Sequence, residues 1–357
     1  MKGSKGMEVQ FNWIFILIAG AVILAFFLGL YSKYKAAKDL EIADSALSDI
    51  RATLTSAQSS TDTAKIIDIP EVPLQFKCFS NTCGESGCTS FFEFKGTGIR
   101  QDTEVDIVFA PDEIESNKLL TWTLSWEEPF KVADFLYLSN PKVRYVLVYS
   151  DDVTGSKELA LKINKTLADN KFINVLVVDK ARAKFVKDEN DYLVKFVFFF
   201  EPVSGSTVLI HQTLINKENW DVIFVYGDEH KGYIRFSLSE GKMKSPDPLK
   251  EYPYLGTPML VGAIFAESAD FYACNLEKAY RRHIMVNELY SKRSELLYNE
   301  FAGDLECEYF FDANLKGHFD DLKAGITARD MTRAKASIDK LSDINSKVLF
   351  KDCPRVY

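Results

Sequence analysis

From Phe11 to Tyr31 the chain reads FNWIFILIAGAVILAFFLGLY, with no charge, no proline and one strongly polar residue, Asn12, at its edge. Roughly 20 apolar residues rising 1.5 Å each match the ~30 Å hydrocarbon core of a bilayer. Trp13 and Tyr31 stand at opposite ends of the run, where amphipathic rings favour the interface. A cleaved secretory signal is the competing reading. Its apolar stretch is usually shorter, ~7–15 residues, and ends in small residues before a cleavage site. Here the run leads into GLYSKYK with no A-x-A pattern. The sequence therefore predicts a retained anchor, with a cytoplasmic tip at 1–10 and a transmembrane helix at 11–31, so that the lipid bilayer is the first expected partner.

Orientation is less sharply encoded. Lys2 and Lys5 precede the helix, and Lys33, Lys35 and Lys38 follow it, which leaves the positive-inside count close to a tie. A short basic tip ahead of a long downstream body suits a single-pass signal-anchor with the C-terminal domain outside the cytoplasm, because long domains translocate largely regardless of charge. The tip MKGSKG followed by MEVQFNWIFILIAGAVIL resembles the N-termini of uncharacterised archaeal single-pass membrane proteins. More weakly, it resembles archaeal type IV pilin-like precursors, whose basic leader ends in Lys-Gly before a hydrophobic helix. That second resemblance covers about the first 30 residues. It implies Lys5-Gly6 as the leader end and Met7 as the first mature residue. Pilins usually carry a glutamate five residues into the mature chain, whereas Glu8 would be second here.

Residues 32–60 form the expected stalk. Over 32–58 there is no proline or glycine, and Leu40, Ala43, Leu47, Ile50 and Leu54 are spaced 3, 4, 3, 4, an a/d seam. The stripe either packs onto the chain's own body, the preferred reading, or pairs two chains by self-association. SSTDT (59–63) and the two prolines of IPEVP (69–73) then end the helix.

Beyond the stalk the expected fold is α/β, α+β overall. Hydrophobic residues make up 47% of the chain, and Gly (18) and Pro (11) are ordinary, which excludes a disordered or collagen-like protein. A β-rich, cysteine-containing region is expected at 61–140, from TSFFEFKG (89–96), TEVDIVFAP (103–111) and LLTWTLSW (119–126). Trp122 and Trp126 on one face of the last segment point to core packing. Residues 141–256 read as a three-layer α/β unit. VRYVLVYS (143–150) and INVLVVD (173–179) look like buried strands flanking a helix with Leu159, Ile163 and Leu167 four apart. That order argues a parallel pair, and LVKFVFFFE, DVIFVYGD and GYIRFSL continue it. Receiver and flavodoxin folds are similar at the level of this pattern. Residues 257–357 are expected to be helical. One stripe is Tyr272, Leu276, Ala279, His283, Val286 and Tyr290, with Lys278 on the polar side. A second is Met331, Ala334, Ile338, Leu341, Ile344 and Val348. Together they suggest an antiparallel helical hairpin on the α/β core. MLVGAIFA (259–266) is too short to span a bilayer.

Motifs for chemistry are sparse. His211, His230, His283 and His318 show no H-E-x-x-H spacing, and no G-x-S-x-G, GxGxxG or GxxxxGK[ST] occurs. His283 reads as a core histidine, and Asp228-Glu229-His230 as a solvated turn. Thr154-Gly155-Ser156 faintly resembles the flavodoxin phosphate loop, but Asp151 and Asp152 would repel a phosphate, and Ser156 or Thr154 as helix N-cap explains the residues. A net charge of −8 gives no basic footprint, so no nucleic-acid partner is expected. The reading is a non-enzyme without catalytic, cofactor or metal residues. Its preferred role is assembly or binding at a surface or envelope; a minor-pilin-like subunit or a nucleotide- or flavin-binding domain are the alternatives.

The cysteines carry the most informative chemistry. Cys78, Cys83 and Cys88 are spaced C-x4-C-x4-C, and Cys274, Cys307 and Cys353 lie far downstream. Zinc ligation by the early three plus one distant thiol, and reduced buried thiols, both stay open. An even count in a tethered domain favours disulfides outside the cytosol. The sequon Asn164-Lys165-Thr166 is consistent with that placement. If all six pair, at least one bond must join the early and late groups. A straight helix over 268–301 would hold Cys274 and Cys307 ~45 Å apart, beyond disulfide reach. The expected scheme is Cys274–Cys353, Cys307 to one early cysteine, and the other two early cysteines to each other.

Overall fold

One helix, α1 (Lys5–Ala57), carries both the apolar run and the stalk without a break. At 1.5 Å per residue it is about 80 Å long. The computed structural model describes residues 5–57, 63–84, 88–98, 100–103, 106–187, 193–201, 209–217, 219–240, 243–247, 249–304, 306–311, 313–349, 351 and 353–357. From Trp13 to Tyr31 nearly every side chain of α1 is exposed, including Phe15, Leu17, Leu24 and Phe27. Further along the same helix Ala43, Ala46, Leu47 and Ile50 are buried. They pack on Ile67, Leu119, Leu136 and Leu138 of the body, so the stalk stripe folds onto its own chain. Leu40 stays exposed, and the side chain of Leu54 lies outside the described residues.

The 61–140 region builds two sheets. Its strands are β1 (Ala64–Asp68), β2 (Leu74–Cys78), β3 (Ser90–Phe94), β4 (Arg100–Asp102), β5 (Val108–Phe109), β6 (Glu113–Ile114), β7 (Lys118–Glu127) and β8 (Lys131–Ser139). One sheet runs β1-β7-β8-β5, and a smaller one β4-β3-β2-β6. Of the segment 103–111 only β5 is strand among the described residues. The β7–β8 hairpin supplies a two-faced layer. Leu119, Leu136 and Leu138 face α1 and the small sheet, and Trp122, Trp126, Phe135 and Tyr137 face the main core, as the tryptophan spacing implies.

Residues 141–256 form β9 (Val143–Tyr149), α2 (Ser156–Ala168), β10 (Asn174–Asp179), β11 (Leu193–Phe198), α3 (Gln212–Lys217), β12 (Trp220–Gly227), β13 (Lys231–Glu240), β14 (Met243–Pro246) and β15 (Tyr252–Leu255). The order is β10-β9-β11-β12-β13, with the first four parallel and β13 antiparallel to β12. β14 and β15 both pair with β13. Alternate residues of the parallel strands bury opposite faces. Val146, Val148, Phe196, Phe198, Val222 and Phe224 pack on α3 through Leu214 and Ile215. Tyr145, Leu147, Val197, Ile223 and Val225 join Leu159, Ile163 and Leu167 of α2 in the main core. The three-layer expectation holds. β10 corrects one detail: among the described residues it pairs with β9 alone, at the sheet edge, and is half exposed rather than buried.

The C-terminal region is α4 (Thr257–Phe265), α5 (Ala269–Glu300), α6 (Ala313–Ala328) and α7 (Met331–Leu349). α4 is buried from Met259 to Phe265. Gly256 precedes it at φ +82, where a Cβ would lie 2.8 Å from Glu128 Oε1; Gly262 lets the helix approach the Phe109 ring, 2.8 Å from its own would-be Cβ. The expected hairpin is three helices. α6, whose buried residues Leu315, Phe319, Leu322 and Ile326 follow 4, 3, 4 spacing, packs against both α5 and α7, the helices that carry the two expected stripes. The main core draws on all three expected regions, 61–140, 141–256 and 257–357, so these share one interior.

Candidate functional site at the cysteine cluster

α5 begins at Ser268, whose Oγ accepts from the Phe271 backbone N–H at 3.3 Å and donates to Asp112 Oδ1 at 2.6 Å. That cap fixes the first turns against the small sheet. Phe271 packs edge-on to Phe76 at 6.3 Å, Cys274 bonds Cys78, and the Asn275 Oδ1 accepts from the Val108 N–H at 3.1 Å. One turn on, the buried Lys278 ammonium donates to Ser90 Oγ at 2.6 Å and to the carbonyls of Thr103 and Asp106 at 2.8 and 2.9 Å. Burial raises the Asp106 carboxyl above its ordinary value, and the Lys278 charge opposes the shift. Arg281 closes the row by donating to the Gly84 carbonyl at 2.9 Å. Lys278 is thus not on the polar side. Residues 271, 274, 275 and 278 make a second stripe, spaced 3, 1, 3, a signal legible beside the stripe that begins at Tyr272.

The disulfides are Cys78–Cys274, Cys83–Cys88 and Cys307–Cys353. The parity argument holds, since one bond joins the early and late groups and two early cysteines bond each other. Exclusion of Cys274–Cys307 also holds. The expected Cys274–Cys353 bond does not form, and Cys307 does not reach the early group. α6 is the reason: with a third helix in the bundle, α7 returns the chain to the far end of α5, beside Cys307. There Arg293 donates to the Arg355 carbonyl at 3.1 Å and Tyr290 meets Tyr357. In the chain-entropy account a loop spanning 196 residues contributes about 5 kcal/mol, one spanning 46 about 4, and one spanning 5 about 2.

The Sγ atoms of Cys83, Cys88 and Cys274 lie within 4.8 Å of one another. Cys83 also lines a cleft of about 410 Å³, with Glu251, Tyr252, Glu277, Arg281 and Arg329 in its walls. Arg329 adopts φ +59 at the C-terminus of α6, where the Asp330 N–H reaches back to the Gly325 carbonyl at 2.9 Å. Glycine is the usual residue in such a cap. Arginine here pairs with Glu277 and lies 4.2 Å from the Tyr280 ring centroid.

The other sequence candidates sit apart. His283 is buried and its Nε2–H donates to the Glu128 carbonyl at 2.6 Å, while Nδ1 has no partner. Burial lowers its pKa to about 4 and raises that of the Glu128 carboxyl to about 7. Asp228 accepts from the N–H groups of His230 and Lys231 and so builds the β12–β13 turn. Glu229 pairs with Lys162 at 2.8 Å, which holds its carboxyl below the ordinary range. In the loop before α2, Asp151 and Asp152 pair with Lys157 and Lys180. Gly155, at φ +79, is the N-cap. Neither Thr154 nor Ser156 caps by side chain; the Ser156 Oγ instead accepts from the Ser150 N–H at 3.0 Å. Sequence reasoning also missed Lys195, a buried β11 lysine 3.3 Å from Asp221 that donates to the Ala266 carbonyl beyond α4.

Comparison of the chain with family models, with curated proteins and with solved structures finds no match.

Proposed function

We propose that this is a single-pass membrane-anchored protein whose disulfide-bonded body lies outside the cytoplasm and serves a non-catalytic assembly or binding role. The observation that carries the reading is α1, a single helix exposed and apolar along one half and docked by Ala43, Leu47 and Ile50 along the other. A segment continuous with a docked helix suits a retained anchor better than a removable signal. The three disulfides suit an oxidising compartment. Among the described seam residues, Ala43, Leu47 and Ile50 are taken up by this docking and Leu40 is exposed. The test is protease added to intact cells. Digestion of the body, with the anchor fragment retained in carbonate-washed membranes, is expected. A body that is cut only after lysis, or a mature chain beginning after Tyr31, overturns the reading.

A second reading, a minor-pilin-like subunit, is favoured by the division of α1 into a projecting apolar half and a half laid on the antiparallel strands β1 and β7. Loss of Met1–Gly6 from the mature protein, read by mass spectrometry, would support it; an intact tip would sink it.

A further inference from the structure

The two disulfides at the start of α5 differ in access while their sulfurs adjoin. Cys88 and Cys274 are buried, and Cys83 is half-buried in the wall of the cleft. Its sulfur and that of Cys88 both lie within 4.8 Å of Cys274 Sγ. Arg281 stands in the same wall, paired through Nε with Glu277 at 2.7 Å and held through its Nη1 at the Gly84 carbonyl next to Cys83. A neighbouring cation favours thiolate over thiol and so favours exchange.

We propose that Cys83–Cys88 is an exchangeable disulfide that takes two electrons from a partner dithiol in this cleft and relays them to Cys78–Cys274. The partner's thiolate attacks Cys83 Sγ, a mixed disulfide forms, and Cys88 leaves as thiolate. The partner's second thiol attacks its own sulfur in the mixed disulfide, departs as a disulfide, and frees Cys83. The Cys88 thiolate then attacks Cys274 Sγ, which forms Cys88–Cys274 and expels Cys78. Finally Cys83 attacks Cys88 Sγ, which restores Cys83–Cys88 and releases Cys274. The partner has lost two electrons and two protons, and Cys78 and Cys274 have gained them as thiols. The product is a small sheet no longer covalently fastened to α5, so the relay is a redox-operated latch.

The test uses full-length oxidised protein in detergent, limiting dithiothreitol, timed acid quench, alkylation and non-reducing peptide mapping. Cys83 and Cys88 should become alkylatable transiently and about tenfold faster than Cys307 and Cys353, because Cys83 is half-buried in the cleft whereas both sulfurs of the other bond belong to buried residues. A Cys88–Cys274 peptide with alkylated Cys78 should follow. Arg281→Gln should slow the first phase several-fold and leave Cys307–Cys353 unchanged. Thiols appearing first at Cys307 and Cys353, or only the original pairs at every time, would overturn the proposal. Cys78→Ser gives a second reading: with Cys274 unpaired, a mixture of Cys83–Cys88 and Cys274-linked isomers is expected, and Cys83–Cys88 alone refutes the relay. Mapping on purified protein reads the latch alone, whichever side of the membrane the body occupies.

Discussion

The parallel sheet and the small sheet are held together by different physics. β9, β11 and β12 run between two apolar layers, with Phe196, Phe198 and Phe224 fully buried on one face and Leu147, Val197 and Ile223 on the other. Burial of that kind, worth about 1.5–3 kcal/mol per large side chain, makes cross-links unnecessary, and none of the three disulfides touches these strands. The small sheet has strands of two to five residues. It buries Leu74, Phe76, Phe92, Phe94 and Ile114, yet it depends on α5 for a disulfide and for a lysine whose acceptors lie on β3 and on the chain that follows β4. Where apolar area is scarce, covalent and ionic fasteners take its place. Such fasteners are also what a chemical partner can undo.

Replacing both Cys78 and Cys274 by serine tests this contrast most severely. We expect a loss of about 5 kcal/mol from loosening the unfolded reference. Amide exchange should rise over β2, β3 and β6 while β9, β11 and β12 stay protected. Equal loss of protection in both sheets would break the comparison.

Lys278→Met comes next. It leaves the Asp106 carbonyl without its ammonium donor and weakens the Ser90–Thr103 pair, at an expected cost of about 2–4 kcal/mol in denaturation midpoint measurements. A neutral result would mean that the disulfide and the apolar residues hold the small sheet without the lysine.

The smallest effect concerns pH, and it belongs to the well-packed side of the molecule. His283 titrates near 4 in the fold and ordinarily near 6.5. Between these values the unfolded chain binds a proton that the native state refuses, so stability falls as pH drops. Glu128 titrates near 7 and ordinarily near 4.5. Over that range the native state keeps a proton that the unfolded chain has released, so stability falls as pH rises. From pH 4.5 to 6.5 the two slopes oppose, and the contribution of this pair should be nearly flat. His283→Gln should expose a decline of about 1.4 kcal/mol per unit with rising pH, and Glu128→Gln the reverse. Denaturation midpoints across that range check it; slopes of one sign in both variants would contradict the pairing.

Much of the architecture is legible in residue order. The anchor run, the β9–α2–β10 unit with its Leu159–Ile163–Leu167 stripe, and the α5 and α7 stripes all follow from local periodicity, because burial on one face repeats at the period of the element that presents it. The parity of six cysteines likewise requires a bond between groups. Tertiary structure alone decided which cysteines meet, since α6 redirects α7 and thereby exchanges the partners of Cys274 and Cys307. It also decided that Lys278 lies inside and that Cys83 opens to a cleft while Cys88 and Cys274 do not. Such facts depend on contacts between residues nearly 200 positions apart. Periodicity reports only which face of an element avoids water, and it carries no record of the distant surface that covers that face.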